Sequence, residues 1–409
     1  METREAPIDR SYQDQAVAAA LETKRLTIQM PTATGKTVVG IRILNEVLKS
    51  RPNFRWIILV PKEEVLRRWC RDLPGCGVYY GKEKRLTQVT VSIYNSGVLH
   101  PDIMGLFDGI IADEVHHVSA PAFARILELT RRHEYVIGLT ATFERTDGLH
   151  QLAAIFAPVR FRMTVAQAQK IGAQCPLNLL VVKVQLPPLL LAQVQMYDRI
   201  VSKGFHRQRQ MGLWSQLGMR RELEAASKRK TLLSFAEEKV TALMAIARAN
   251  PGKRILVFGG SIAAVDRLAE IMRQHGLPAE AYHSQLDPEK SKQINTNEFA
   301  AWGRDFHVLF AVQKLDEGVD VPEAKIAVML ASGKGDLQMI QRTGRIMRPS
   351  KLNEPAQLYL IVASKTSEES LQHKTVQALE LPADHVHVTT AKELFKQLSY
   401  TPENVLPSQ

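Results

Sequence analysis

The sequence predicts an α/β protein built from two parallel-sheet lobes, and three observations lead there. Short apolar runs alternate with amphipathic stretches through the first half, the same grammar restarts after residue 236, and a basic, helix-forming stretch separates them. Strands that alternate with helices cross over and pair in parallel, and both faces of such a sheet must be covered.

In the first half, the runs 26–30, 56–60, 89–93, 109–113 and 135–140 read as buried strands bounded by Pro, Gly or polar residues. Between them, 38–48, 63–73 and 122–131 carry apolar residues at helical spacing. In the second half, strands are expected at 255–258, 279–282, 307–311, 326–330 and 357–362, with helices at 263–275, 289–300 and 338–342. No short-period repeat is present, so the halves share an architecture rather than a sequence. The expected boundaries are 1–183 for the first lobe, 184–235 for a helical insertion or linker, 236–380 for the second lobe and 381–409 for a tail. Pro187-Pro188 opens the insertion, and one helix is expected within the tail, at 390–398.

Composition narrows the class. Of 409 residues, 45% are hydrophobic and 23% charged, the balance of an ordinary soluble protein. The longest apolar run, 177–191, is interrupted by Lys183, Pro187 and Pro188, which argues against a membrane span. Residues 1–10 are charged and lack the apolar centre of a secretory signal. Cys70, Cys76 and Cys175 are too few and too scattered for a four-thiolate site, so free thiols in a reducing, cytoplasmic compartment are expected. The net charge of +11 favours a polyanionic partner. Its distribution says more: between Arg199 and Lys230, nine Lys or Arg stand against two acids, so this segment alone carries +7. A solvated helix face is the ordinary meaning of such a run. The excess here is one-sided, which favours a nucleic-acid backbone gripped by Arg220, Arg221, Lys228 and Arg229.

Three fragments carry chemistry. Met30-Pro31-Thr32-Ala33-Thr34-Gly35-Lys36-Thr37 follows a strand and opens a helix, where backbone N–H groups and a helix N-terminus suit phosphates. Lys36 could reach the terminal phosphates and Thr37 could ligate Mg²⁺. Met30 replaces the usual first glycine, and a chance Gly-Lys-Thr explains this fragment alone equally well. In 109–116, an apolar strand ends in Asp113-Glu114, a costly pair unless something binds it. Asp113 is placed for Mg²⁺ and Glu114 for orienting and deprotonating a water. In 341–348, which begins at Gln341, Arg345 and Arg348 face one side of a turn and could neutralise charge in phosphoryl transfer.

Taken in order, Gln13, the phosphate loop, Asp113-Glu114-Val115-His116, Thr140-Ala141-Thr142, Glu317-Gly318-Val319-Asp320 and 341–348 resemble the motifs of superfamily 2 DExH helicases. The likeness covers about residues 8–365 and is greatest to the branch of XPB-type repair translocases and phage UvsW-type helicases. It implies two RecA-like lobes, ATP and Mg²⁺ as ligands, and a DNA-dependent ATPase that moves on duplex or branched DNA and unwinds or remodels it. Gln13 is then expected at the adenine, and Thr32, Ala33, Thr34, Gly35, Lys36 and Thr37 around the phosphates. Thr37 and Asp113 are expected at the metal, and Gly318 and Asp320 near the ribose. His116, Thr140 and Thr142 would couple nucleotide to nucleic acid, and Gln341, Arg345 and Arg348 would close the site from the second lobe. Ala33 departs from the family, which commonly has glycine there, and so does Phe143, where proline is common. Strand-end residues Lys62, Ser92, Tyr94, Ser261 and His283 are expected to touch a nucleic-acid backbone, although plain turns account for each of them singly. The basic segment matches a thumb-like helical insertion. A monomer is expected. Two other readings stay open: a motor subunit of a repair, defence or restriction complex, with a nuclease or repair factor as partner, and an RNA helicase.

Overall fold

The computed structural model describes residues 10–115, 130–141, 157–211, 220–283, 285, 302, 305–312, 324–330 and 354–400. The chain forms two compact units, the first running through Cys175 and the second starting at Pro176. The helices expected at 289–300 and 338–342, and most of that at 122–131, lie outside the described residues.

In the first unit, β1 (Arg25–Gln29), β2 (Trp56–Val60), β3 (Gly77–Tyr80), β4 (Glu83–Arg85), β5 (Val89–Ile93), β6 (Gly109–Asp113), β7 (Tyr135–Thr140) and β8 (Val159–Arg162) form one sheet. Their order is β4-β3-β5-β2-β6-β7-β1-β8, parallel except for the β3–β4 pair. The continuous apolar run of β2 has a simple cause. Trp56, Ile58 and Val60 enter a core shared with α1 (Ser11–Thr23), α2 (Lys36–Ser50) and α3 (Glu63–Asp72), while Ile57 and Leu59 enter a second core with Tyr94, Met104 and Phe107. A strand wedged between two apolar layers has no polar face. Because the strands are parallel, the residues leaving β1, β2, β5, β6 and β7 all emerge at one edge, and that edge holds the chemistry.

In the second unit, β9 (Leu177–Val184), β10 (Ile255–Phe258), β11 (Ala279–Tyr282), β12 (Val308–Ala311), β13 (Ile326–Met329), β14 (Ala356–Ala363) and β15 (Val386–Thr390) form an all-parallel sheet. The order is β11-β12-β10-β13-β14-β9-β15. Two expected boundaries shift as a result. Residues 177–183, assigned above to the first lobe, belong to an inner strand of the second sheet, bonded to β14 from Leu177↔Ala356 to Val184↔Ala363. Residues from 381 onward are more than a tail: β15 covers the other side of β9, and Leu394 and Phe395 of helix Ala391–Gln397 enter the second core.

The basic stretch folds as two helices, Pro188–Met211 and Arg220–Ser234, that pack on each other. Gly204 sits where an added Cβ would lie 2.3 Å from Glu222 Cγ, so this crossing is too close for a side chain. Among the described residues, no helix is long and apolar enough to cross a membrane. Cys70, Cys76 and Cys175 are free thiols, with Cys70 and Cys76 in contact at 3.4 Å.

One buried ion pair stands out in the second unit. Lys239 is fully buried, and its ammonium donates to the Leu330 carbonyl and to Glu368 Oε1, both at 2.8 Å. Glu368 Oε2 also accepts the Ala363 N–H at 2.9 Å. The pair therefore ties the helix Glu237–Arg248 to the ends of β13 and β14. Taking one partner away strands the other charge in an apolar interior. Glu368→Ala should destabilise the second unit by about 3–5 kcal/mol, and Lys239→Met combined with Glu368→Leu should recover much of that loss. Urea denaturation of the single and double variants checks both expectations.

Candidate nucleotide site and nucleic-acid contacts

The phosphate loop is pinned by its own carbonyl groups. Met30 N–H donates to the Thr140 carbonyl at 3.0 Å, fixing the loop's start to the end of β7. Tyr12 Oη donates to the Thr34 carbonyl at 2.8 Å, and Gln13 Nε2 donates to the same oxygen at 3.2 Å. Thr34 Oγ1 donates to the Pro31 carbonyl at 2.7 Å, and Gln174 Nε2 donates to that of Thr32 at 2.5 Å. Lys36 Nζ lies 3.3 Å from the Met30 oxygen and 3.5 Å from that of Pro31. Acceptors of the loop are thus held by protein donors, and the positive end of α2 begins at Lys36.

Two residues of the loop are left-handed, Ala33 at φ 66° and Gly35 at φ 86°. A side chain at Gly35 would be strained at this φ, and its Cβ, 2.7 Å from Gln13 Nε2, would push Gln13 aside. The alanine that departs from the family pattern therefore occupies a conformation that glycine takes without strain.

Asp113 closes β6, one strand away from β1, with β7 between them. It is buried, and each of its carboxylate oxygens accepts one N–H. Trp69 Nε1 donates to Oδ2 at 2.9 Å and Glu114 N to Oδ1 at 3.0 Å. Its main-chain carbonyl accepts from Tyr94 Oη at 2.7 Å. Burial, reinforced by the charges of Asp113 and Glu114, holds the Tyr94 phenol well above its ordinary pKa, so the group keeps its proton and donates. Glu114 is left-handed, at φ 50°, which turns the chain sharply at the second carboxylate. The donor set fits Mg²⁺ chemistry: a carboxylate fixed by neighbouring N–H donors that keeps a lone pair on each oxygen, beside a loop suited to phosphates. Sequence reasoning missed Tyr12, Trp69 and the anchoring role of Tyr94, because aromatic residues at apolar positions read as core.

The other expected residues fall into two groups. His116, Thr142, Phe143, Gly318, Asp320, Gln341, Arg345 and Arg348 lie outside the described residues. Thr140 is described and buried, and its carbonyl serves the loop as given above. Among the expected nucleic-acid contacts, Lys62 and Ser261 are exposed, and Ser261 Oγ also caps the helix Ile262–Gln274 by accepting Ala264 N–H. Three others are placed otherwise. Ser92 is fully buried and donates to the Tyr79 carbonyl at 2.8 Å, and Tyr94 is buried against Asp113. His283 is buried with Nε2 2.8 Å from Asp266 Oδ1, and Gln285 N–H reaches Nδ1. Short polar side chains at strand ends point inward as readily as outward, and here the sheet's own polar groups claim them. In the basic helices, Arg220 and Arg221 are exposed, and Lys228 makes an exposed pair with Glu224 at 2.9 Å. Arg229 instead bonds Asp198 at 2.7 Å and Ser367 Oγ at 3.1 Å, fastening the two helices together and to the rest of their unit.

The strain at Ala33 can be measured. A left-handed alanine costs roughly 1–2 kcal/mol, and the freedom that glycine adds to the unfolded chain costs roughly 0.4–1 kcal/mol. Ala33→Gly should therefore raise the stability of the first unit by up to about 1.6 kcal/mol, read as a higher melting temperature.

Comparison with known proteins bears on the family and the fold. Residues 8–145 match the family described as type III restriction enzyme, res subunit, and residues 238–350 match the helicase conserved C-terminal domain. The DNA 3'-5' translocase XPB2 of Sulfurisphaera tokodaii is 29% identical over 390 residues, covering 89% of this chain and 84% of the relative. The DNA 3'-5' helicase XPB of Kineococcus radiotolerans is 25% identical, covering 88% of this chain but only 60% of the relative, so the chain spans less than two thirds of that protein's length. The helicase domain of Hef from Pyrococcus furiosus superposes with a TM-score of 0.59 at 17% identity, over 90% of this chain and 98% of that domain, a likeness of fold. With the res-subunit and helicase C-terminal families matched in order and XPB-type relatives aligned over most of its length, the chain belongs to the superfamily 2 helicases.

Proposed function

We propose that the chain is an ATP-dependent DNA helicase or translocase, hydrolysing ATP to ADP and phosphate to move on and unwind or remodel duplex or branched DNA. The observation that carries this reading is the meeting of a pinned phosphate loop and an anchored Asp113 on one edge of one sheet, in a chain related to DNA translocases. Gln13 is the proposed adenine contact, with Gly318 and Asp320 near the ribose. Lys36 neutralises the terminal phosphates, and Thr37 and Asp113 hold Mg²⁺. The metal, when bound, neutralises charge on the phosphate oxygens and orients them. Glu114 orients and deprotonates the attacking water, Arg345 and Arg348 supply further positive charge, and Gln341 helps to close the site. His116, Thr140 and Thr142 are the proposed coupling residues. Lys62, Ser261, Arg220, Arg221 and Lys228 are the proposed backbone contacts.

A second reading is favoured by the matched family, whose description is that of a subunit: the chain could serve as the motor of a larger assembly, with little unwinding of its own. A strand-displacement assay on purified protein separates the two, since turnover without displacement selects the subunit.

Lys36→Ala should abolish DNA-stimulated ATP hydrolysis while leaving DNA binding within about twofold, because the lysine acts on phosphates rather than on DNA. Retained turnover would refute the site. Stimulation by duplex and forked DNA should exceed stimulation by RNA, and the reverse result selects an RNA helicase. The Arg220→Ala/Arg221→Ala double variant should reduce the slope of log affinity against log salt by roughly two. Arg229→Ala should instead loosen the paired helices, seen as faster amide exchange there, with that slope unchanged.

A further inference from the structure

Trp69 lies on α3, away from every motif singled out in the sequence, and is completely buried. Two contacts make it more than filler. Its indole N–H donates to Asp113 Oδ2 at 2.9 Å, occupying a lone pair of the carboxylate assigned to the metal. Its ring also supports α2: a Cβ on Gly40 would lie 2.8 Å from Trp69 Cη2, so the helix that begins at Lys36 rests directly on the indole. Gly40 stands one helical turn beyond Lys36, on the same face. One side chain thus touches both the element that carries the phosphate-binding residues and the carboxylate expected to hold Mg²⁺.

We propose that Trp69 is a positioning residue for the metal: it sets the rotation of the Asp113 carboxylate relative to the start of α2. This rests on the assignment of Asp113 to Mg²⁺ under the proposed function. A carboxylate at a strand end is free to turn about its terminal bond unless its oxygens are distinguished by fixed donors. Glu114 N–H holds the carboxylate at one oxygen only, and the indole supplies an independent second point on the other. Each oxygen keeps a lone pair for a metal-bound water or the metal itself. Outer partners of this kind are worth about 10–100-fold in metal affinity or activity. The indole does not touch nucleotide or metal in this scheme; it acts only through Asp113 and α2.

The test separates metal from nucleotide. Binding of a fluorescent ADP is measured with Mg²⁺ and in EDTA, for the wild type, for Trp69→Phe, and for a protein carrying the isosteric benzothienylalanine at position 69, which lacks only the N–H. The proposal expects EDTA affinity within about twofold of wild type and a Mg²⁺ enhancement reduced about tenfold in both variants. The isostere keeps the ring under α2, so it stays informative even if the smaller phenylalanine loosens the fold. Unchanged Mg²⁺ enhancement in the isostere overturns the proposal, and so does an equal loss with and without metal, which is the mark of a packing role alone. Asp113→Asn is measured beside them. If it abolishes the Mg²⁺ enhancement while the isostere keeps it, the fault lies with Trp69. If it keeps the enhancement, the metal assignment itself fails and this proposal fails with it.

Discussion

The first unit is organised around the burial of one carboxylate. Asp113 sits at the end of a strand whose other residues are wholly apolar, and an ionised group there is tolerable only when its oxygens are satisfied. The fold satisfies them from three directions, with the Trp69 indole, the Glu114 amide and, on the main chain, the Tyr94 hydroxyl. These donors belong to α3, to the turn after β6 and to the helix after β5. Sheet order and helix packing therefore appear in the site as particular hydrogen bonds. The loop at Met30–Lys36 is treated in the same manner, its carbonyls captured by Tyr12, Gln13 and Gln174 from elements distant in sequence.

Much of this was legible beforehand, for a physical reason. Strands covered on both faces are largely apolar, so β2, β6, β7 and β10 appear in the structure with the bounds the apolar runs suggest, and the more mixed β5 and β11 share the expected bounds as well. Other strands were hidden. The residues of β15, Val386–Thr390, alternate apolar and polar side chains too weakly to signal a strand, and β9 runs straight on from the last residues of the first unit without a composition break. Strand pairing is a relation between distant segments, and a local pattern cannot say which sheet an apolar run will join.

The candidate site announced itself in its polar members and was opaque in its aromatic ones. Lys36, Asp113 and Gln13 belong to spaced motifs whose chemistry is unusual for their surroundings. Trp69 sits at an apolar position of an amphipathic helix, where burial alone explains it, and nothing local reveals that its nitrogen meets a carboxylate 44 residues away. Two of the strand-end candidates misled in the opposite sense. Ser92 and His283 looked available because they follow strands, yet their polar atoms are engaged inside the unit that carries them. Charge counting had a related blind spot. Arg229 adds to the basic total of its segment while its guanidinium is committed to Asp198, so the charge that faces solvent is smaller than the sum.

The route of the chain out of the first unit has a mechanical side. Immediately after Cys175 it enters β9, which is bonded along eight residues to β14 and along five to β15. Tension applied at that junction pulls along the axis of an inner strand, so the flanking bonds share the load in shear instead of parting one after another. A connection anchored in this way transmits displacement with little stretch, whereas a peripheral strand or a frayed helix would peel. It also makes the second unit indivisible from residues 177–184: cut the chain beyond them, and the sheet is left with a gap where its load-bearing strand belongs.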